Sequence, residues 1–240
     1  MVLSLALECR SSASHGKLVM KLALFDLDHT LIPFDSGMAW TRHLVRAGAL
    51  DTQAEVRYLD FCHAYVAGTL DIHAMHHASM APLAAFAAEQ IQRWQSEFER
   101  EQASALSPAM LALVARHRDG GDLCAIVTAS SRLVAEPFAR SFRIEHLLAT
   151  ETVRIAGVAT GTIAGVPCYR EHKLSHVQAW LAARPVAPRA LADFDESWFY
   201  SDSTSDLPLL AAVTHPVAVR PDARLRVHAM AAGWRIVDAV

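Results

Sequence analysis

The sequence predicts an α/β protein, a doubly wound parallel sheet with a helical subdomain inserted after its first strand. Three observations carry this. Short apolar runs at 22–25, 123–127, 146–150, 198–200, 217–219 and 235–237 alternate with helical stretches, the pattern of strands joined by helical crossovers. The first run, within KLALFDLDHTLIP at 21–33, is apolar on both faces, as a strand buried inside a parallel sheet is. After Pro33, roughly seventy residues keep three- and four-residue apolar spacing with no strand signal.

Taken in order, residues 1–19 read as a disordered extension. The apolar stretch 2–7 follows no cationic segment and is interrupted by Glu8 and Arg10, which makes a poor signal peptide. Ser11, Ser12, Ser14 and Gly16 read as linker before Met20. The core domain is expected over 20–35 and 105–240, and the helical subdomain over 36–104. In the latter, Met38, Trp40, Leu44, Leu59, Tyr65 and Val66 mark helices, with Asp51 and Asp71 as N-caps. Ile91, Trp94 and Phe98 mark one face of a further helix. The aromatics Trp40, Tyr58, Phe61, Tyr65 and Trp94 are expected in the core. Ser107-Pro108 opens a helix as N-cap and first-turn proline, stopped at Gly120-Gly121. The strand at 123–127 runs into Thr128-Ala129-Ser130-Ser131, and a helix follows to about 142. Residues 153–163 around Gly157 read as a β-hairpin. Residues 171–183 are helical. The strand at 198–200 ends in Ser201-Asp202-Ser203-Thr204-Ser205-Asp206, and 222–232 is the last helix.

The bulk properties exclude several classes. At 240 residues and 52% hydrophobic, the chain can bury a large core. A net charge of −3 gives no electrostatic footprint for nucleic acid or an anionic membrane. No apolar run is long enough to span a bilayer. Four cysteines, Cys9, Cys62, Cys124 and Cys168, form no C-x-x-C pair. They read as buried thiols in a reducing compartment, not as a disulfide framework or zinc site, so a cytoplasmic location is expected.

The chemistry sits at strand ends. Asp26 and Asp28 end the first strand, Thr128, Ser130 and Ser131 the second, Asp202 and Asp206 a later one, and Lys173 opens the helix before that strand. The C-terminal ends of parallel strands converge on one edge of a sheet, where open α/β folds bind ligands. Carboxylates this close repel one another unless a divalent cation joins them. Carboxylates, a hydroxyl, a lysine and turn amides suit a phosphate with Mg²⁺. No Gly-rich phosphate-binding or dinucleotide motif occurs. The plainer readings are an Asx-capped turn for Asp26 and Asp28, helix caps for Thr128, Asp202 and Asp206, and a solvated lysine at 173.

Together these residues resemble a known family. Phe25-Asp26-Leu27-Asp28-His29-Thr30-Leu31, Val127-Thr128-Ala129-Ser130, Lys173 and Tyr200-Ser201-Asp202-Ser203-Thr204-Ser205-Asp206 are similar to the four motifs of the haloacid-dehalogenase-like phosphatases, in the family's order. The resemblance covers about 21–237. It implies a Rossmann-like core and identifies the helical insert with the family's C1 cap, as in the phosphoserine-phosphatase-like branch. It implies that Asp26 is the nucleophile forming an aspartyl-phosphate and that Asp28 is the general acid and base. Thr128 and the Ala129 amide would bind phosphoryl oxygens. Lys173 would neutralise Asp26 and the transferring group. Asp26, Asp202 and the Asp28 carbonyl would hold Mg²⁺, with Asp206 in support.

The substrate expectation extends the resemblance. Asp35 stands where the branch places an acidic residue for the substrate amine. His76, His77 and Ser79 stand where arginines would pair with a carboxylate, and 69–92 contains no arginine. His76 and His77 are therefore expected to face substrate, while the spacing of His73, His76 and His77 alone is a weak metal signal. The implied substrate is a small phosphomonoester, histidinol phosphate ahead of phosphoserine, turned over by a monomer or homodimer. Alternatives are a phosphomutase and a catalytically silent binding module, though no motif residue is replaced.

Overall fold

The computed structural model describes residues 20–155 and 157–238; the extension expected over 1–19 lies outside them. The chain runs β1 (Lys21–Phe25), α1 (Ser36–Arg46), α2 (Gln53–Ala67), α3 (Ile72–Met80), α4 (Ala88–Gln102), α5 (Pro108–Asp119), β2 (Leu123–Ser131), α6 (Arg132–Phe142), β3 (His146–Thr150), β4 (Thr152–Ile155), β5 (Val158–Ile163), α7 (His172–Ala182), β6 (Glu196–Ser201), α8 (Leu207–Leu210), β7 (His215–Val219), α9 (Ala223–Ala232) and β8 (Arg235–Val237). Six strands form one parallel sheet in the order β3-β2-β1-β6-β7-β8. The doubly wound α/β sheet is the fold the sequence predicted.

β1 lies in the middle, which explains its apolar run. Its residues sort by the period of two. Ala23 and Phe25 join Ile126, Val217 and Val219 in one hydrophobic cluster, under α1, α4, α5 and α6. Leu22 and Leu24 join Ala125, Val127, Phe199 and Ala218 in the other, under α7, α8 and α9. The order of strands reverses around β1, so its C-terminal end and that of β6 flank the crevice where such sheets bind ligands.

The helices of the insert divide. α1 and α4 are rooted in the core, where Trp40, Leu44, Trp94 and Phe98 share the cluster of Phe25 and Phe138. Phe98 packs edge-on against both Trp40 and Phe138, at 5.2 and 5.6 Å between ring centroids. α2 and α3 lie over the strand ends. Trp40, Tyr58 and Trp94 are buried as expected. Phe61 is only half-buried and Tyr65 is exposed, so these two are not core residues. Asp71 caps α3, accepting from His73 and Ala74 amides at 2.9 and 3.1 Å. Asp51 does not cap α2, whose first flanking residue is Thr52; its carboxylate pairs with Arg57 instead.

The expected hairpin is β4 paired antiparallel with β5, and it buttresses α3. Gly161 has a left-handed φ of +80° and approaches Ala81 so closely that a Cβ there would lie 2.7 Å from the Ala81 Cβ. Next to this joint, His76 Nε2 lies 2.9 Å from Thr152 Oγ1, and the residue borders a small side cavity with Tyr58 and Ser130 instead of the cleft over Asp26 and Asp28. The expectation that His76 and His77 face substrate is thus corrected. On α3 the residue one position earlier, Met75, points to the cleft, and one residue is a rotation of about 100°. His77 is exposed.

Burial, reinforced by His73 and His77, pushes the His76 pKa down to about 4. A base whose folded pKa lies below its unfolded value of about 6.5 binds its proton better in the unfolded chain. Stability therefore rises with pH between the two values, is complete above the upper one, and is lost as pH falls toward the lower. Against His76→Gln, which keeps a polar partner for Thr152 but does not titrate, the wild type should lose stability by about 1 kcal/mol between pH 6.5 and 4.5, allowing for solvent screening. Urea midpoints of the two proteins across that range measure it; parallel curves would mean that His76 is not held neutral.

Candidate active site

The site begins where β1 ends. The Asp26 amide donates to Tyr200 O at 2.9 Å, so sheet pairing continues into the first carboxylate. The chain then turns tightly: His29 takes a left-handed φ of +57° and the Ile32 amide returns to Leu27 O at 3.1 Å. That turn presents Asp28 to a cradle of donors. Its Oδ1 accepts the Ser36 amide at 2.6 Å and its Oδ2 the Ser130 hydroxyl at 2.7 Å. The two serine hydroxyls lie 2.9 Å apart. Burial and the nearby Asp35 push the Asp28 carboxyl pKa up, against the pull of the Ser36 and Ser130 bonds.

α7 delivers Lys173, which is 4% exposed. Its Nζ donates to Asp26 Oδ1 at 2.7 Å and Asp206 Oδ2 at 2.8 Å. Burial works against the charge, but Asp206 and Asp26 outweigh it and hold the lysine well above its usual pKa. Asp206 also accepts from Ser201 Oγ at 2.7 Å, and its Oδ1 is buried without a partner. Its side chain makes no capping bond to α8. The plainer readings of Lys173 as solvated and Asp206 as a helix cap do not fit these contacts.

Asp202 completes the acidic group. The Thr30 hydroxyl lies 3.2 Å from Asp202 Oδ1 and 3.3 Å from Asp26 Oδ2, one proton between two carboxylates. Burial, then Asp26 and Asp206, push the Asp202 carboxyl pKa up to about 8. No three His, Cys, Asp or Glu side chains converge as a metal cluster among the described residues. Two carboxylates that converge on one threonine hydroxyl nevertheless suit a small hard cation that keeps most of its waters. The repulsion that adds to burial at Asp202 is what such a cation would relieve.

Over these groups lies a cleft of about 290 Å³. Asp26, Asp28, Lys173, Asp202 and Asp206 line its floor; Tyr58, Phe61, Tyr65, Leu70, Ile72 and Met75 line its roof, and no arginine lines it among the described residues. Asp35 lies at the cleft and caps α1 through the Met38 amide at 2.7 Å. Tyr58 reaches Asp35 because residue 37 is glycine: a Cβ at Gly37 would lie 1.9 Å from the Tyr58 hydroxyl. Ala129 and Ser130 line the cleft, whereas Thr128 is fully buried and its hydroxyl accepts the Ser130 amide at 3.1 Å. Tyr65 and Arg170 tie roof to floor. The Tyr65 hydroxyl is 2.8 Å from Ser203 Oγ, and Arg170 donates to Gly68 O at 3.1 Å.

Sequence reasoning missed Ser36, Thr30, Tyr65 and Met75 as site residues. Thr30 was within reach as part of the motif around Asp26 and Asp28. The others meet the site only through contacts across the fold and carry no local signal.

The chain matches the family model of haloacid dehalogenase-like hydrolases over residues 23–211. A histidinol-phosphatase of Neisseria meningitidis serogroup C (strain 8013) is 35% identical over 220 residues, covering 90% of this chain and 98% of that one. Among solved structures, a protein of unknown function from Bordetella pertussis Tohama I superposes with a TM-score of 0.84 at 41% identity, over 92% of this chain and 99% of that one. A substrate-bound phosphoserine phosphatase shares the fold, with a TM-score of 0.65 at 13% identity over 92% and 93% of the two chains. With the model spanning both the acidic floor and the lysine that neutralises it, this chain belongs to the haloacid dehalogenase-like hydrolases.

Proposed function

We propose that this hydrolase is a phosphomonoesterase that works through an aspartyl-phosphate on Asp26. The observation that carries the reading is Lys173, buried and bonded to Asp26 and Asp206 at 2.7 and 2.8 Å. A fixed ammonium beside the nucleophile attracts the negatively charged phosphoryl group to it. An Asp26 oxygen attacks phosphorus, the bond to the leaving oxygen breaks, and that oxygen takes a proton from Asp28. Asp28, now a carboxylate, takes a proton from the water that cleaves the aspartyl-phosphate. A raised carboxyl pKa suits an acid that must hold its proton until departure, and the Ser36 and Ser130 donors aim it. The Ala129 amide and Ser130 stand at the cleft for phosphoryl oxygens, with Thr128 bracing them from beneath. Mg²⁺, held by Asp26, Asp202 and the Asp28 carbonyl, would supply charge neutralisation at the phosphoryl group.

The substrate follows from the walls. Among the described residues no arginine lines the cleft, and its lysine is already engaged, so they offer a substrate carboxylate no fork to pair with. Asp35 offers an acceptor for an amine, and an aromatic and apolar roof suits a ring. L-Histidinol phosphate meets all three conditions, and the histidinol-phosphatase relative agrees. Phosphoserine is the second reading, supported by the shared fold.

Asp26→Asn should abolish turnover while leaving the circular dichroism spectrum unchanged. Asp28→Asn should cost roughly a hundredfold in kcat. Near wild-type activity in the first variant would sink the mechanism. EDTA should remove p-nitrophenyl phosphate hydrolysis and Mg²⁺ should restore it; activity indifferent to EDTA would rule out the metal.

For the substrate, kcat/KM for L-histidinol phosphate should exceed that for L-phosphoserine by tenfold or more, about 1.4 kcal/mol of transition-state binding. The reverse preference would reassign the pocket.

A further inference from the structure

The turn that carries Asp28 is held from outside the cleft. His29 is a non-glycine residue in the left-handed region, a conformation that persists only when its surroundings impose it. The turn also leaves carbonyls to satisfy. The residue four positions after His29 is Pro33, which has no N–H to offer the His29 carbonyl. Arg220 supplies what the local chain does not. Its Nη2 donates to His29 O and to Thr30 O, both at 2.8 Å, and its Nε approaches His29 O at 3.3 Å.

Arg220 is itself anchored. It too has a left-handed φ, +43°, and its amide donates to Val237 O of β8 at 2.8 Å. Two residues on, the Asp222 amide donates to Asp202 O at 2.8 Å, and the Asp222 carboxylate takes the Thr204 amide and hydroxyl at 2.7 and 2.6 Å. The short segment 220–222 therefore brackets both acidic loops from the end of β7. The Arg220 side chain does not line the cleft.

We propose that Arg220 is a positioning residue, holding the His29 turn so that the Asp28 carboxyl meets the leaving oxygen. The inference rests on the reading of Asp28 as general acid. Without the clamp the left-handed residue relaxes, the carboxyl swings, and proton delivery suffers while nucleophilic attack by Asp26 is spared. Asp26 keeps its own supports in the sheet and at Lys173. A group that only stabilised the fold would depress every substrate alike.

Leaving-group dependence separates the two. p-Nitrophenolate departs from phosphorus unprotonated at neutral pH and an alkoxide does not, so kcat/KM for the aryl ester is blind to Asp28. Arg220→Ala should lose about tenfold or more in kcat/KM on the alkyl phosphate that wild type hydrolyses fastest, and about threefold or less on p-nitrophenyl phosphate. Asp28→Asn should show the same pattern more strongly. Free guanidinium should restore part of the alkyl rate in Arg220→Ala. Arg220→Lys, which keeps the charge but lacks the fork, should fall between the two and provides the reading if the alanine variant does not fold. Equal losses on both substrates, or none on either, would overturn the inference. Wild-type protein inactive on both would instead strike down the phosphatase reading beneath it.

Discussion

An ammonium group taken out of water tends to shed its proton unless anions surround it, and the site is built around keeping Lys173 charged. Asp26 reaches it from β1 and Asp206 from the loop after β6. The two strands meet directly, Phe25 opposite Tyr200, and the Asp26 amide extends that pairing by one residue. Sheet register is thereby converted into the distance between two carboxylates and one nitrogen. A slip of one residue would turn Asp26 to the opposite face of the sheet and leave the lysine half-paired in the interior. The ordinary demands of strand packing and the special demands of the site coincide at this point, and the apolar residues on both faces of β1 make the slip expensive.

The charge also accounts for the imbalance next to it. Lys173 is shared between Asp26 and Asp206, and Asp202 is left with a threonine hydroxyl and only the more distant charge of Arg220. Three buried carboxylates beside one lysine leave two negative charges that it does not balance, before any substrate phosphate arrives. The helical roof answers none of this charge. Its lining is aromatic and aliphatic, and it meets the floor through neutral contacts such as Tyr65 with Ser203. Floor and roof therefore perform separate physical tasks, one electrostatic and one steric, and they come from different stretches of the chain.

Much of the fold was legible because parallel strands and amphipathic helices write their periods into the sequence. The acidic floor was legible for a related reason: polar residues that interrupt an apolar strand at its C-terminal end stand out against it. Contacts between distant stretches were not. Ser36 and Ser130 are 94 residues apart and meet only over Asp28. Helix phase was the other failure. His76 looked like a substrate contact, but α3 is rotated by its packing on the β4–β5 hairpin, which the sequence predicts as a hairpin without saying what leans on it. Phe61 and Tyr65 failed in the same way, since an aromatic at helical spacing can face a core or a cleft equally well.

The fit of Tyr58 over Gly37 makes those two positions a single unit of variation. Any side chain at 37 collides with the phenol ring, so a relative that departs from glycine there must move the ring or give up the tyrosine. With the tyrosine would go the hydroxyl beside Asp35 and part of the roof, leaving a wider and wetter chamber. A family built on this scaffold can thus exchange one ligand for another by paired substitution at 37 and 58, leaving the charged floor as it is.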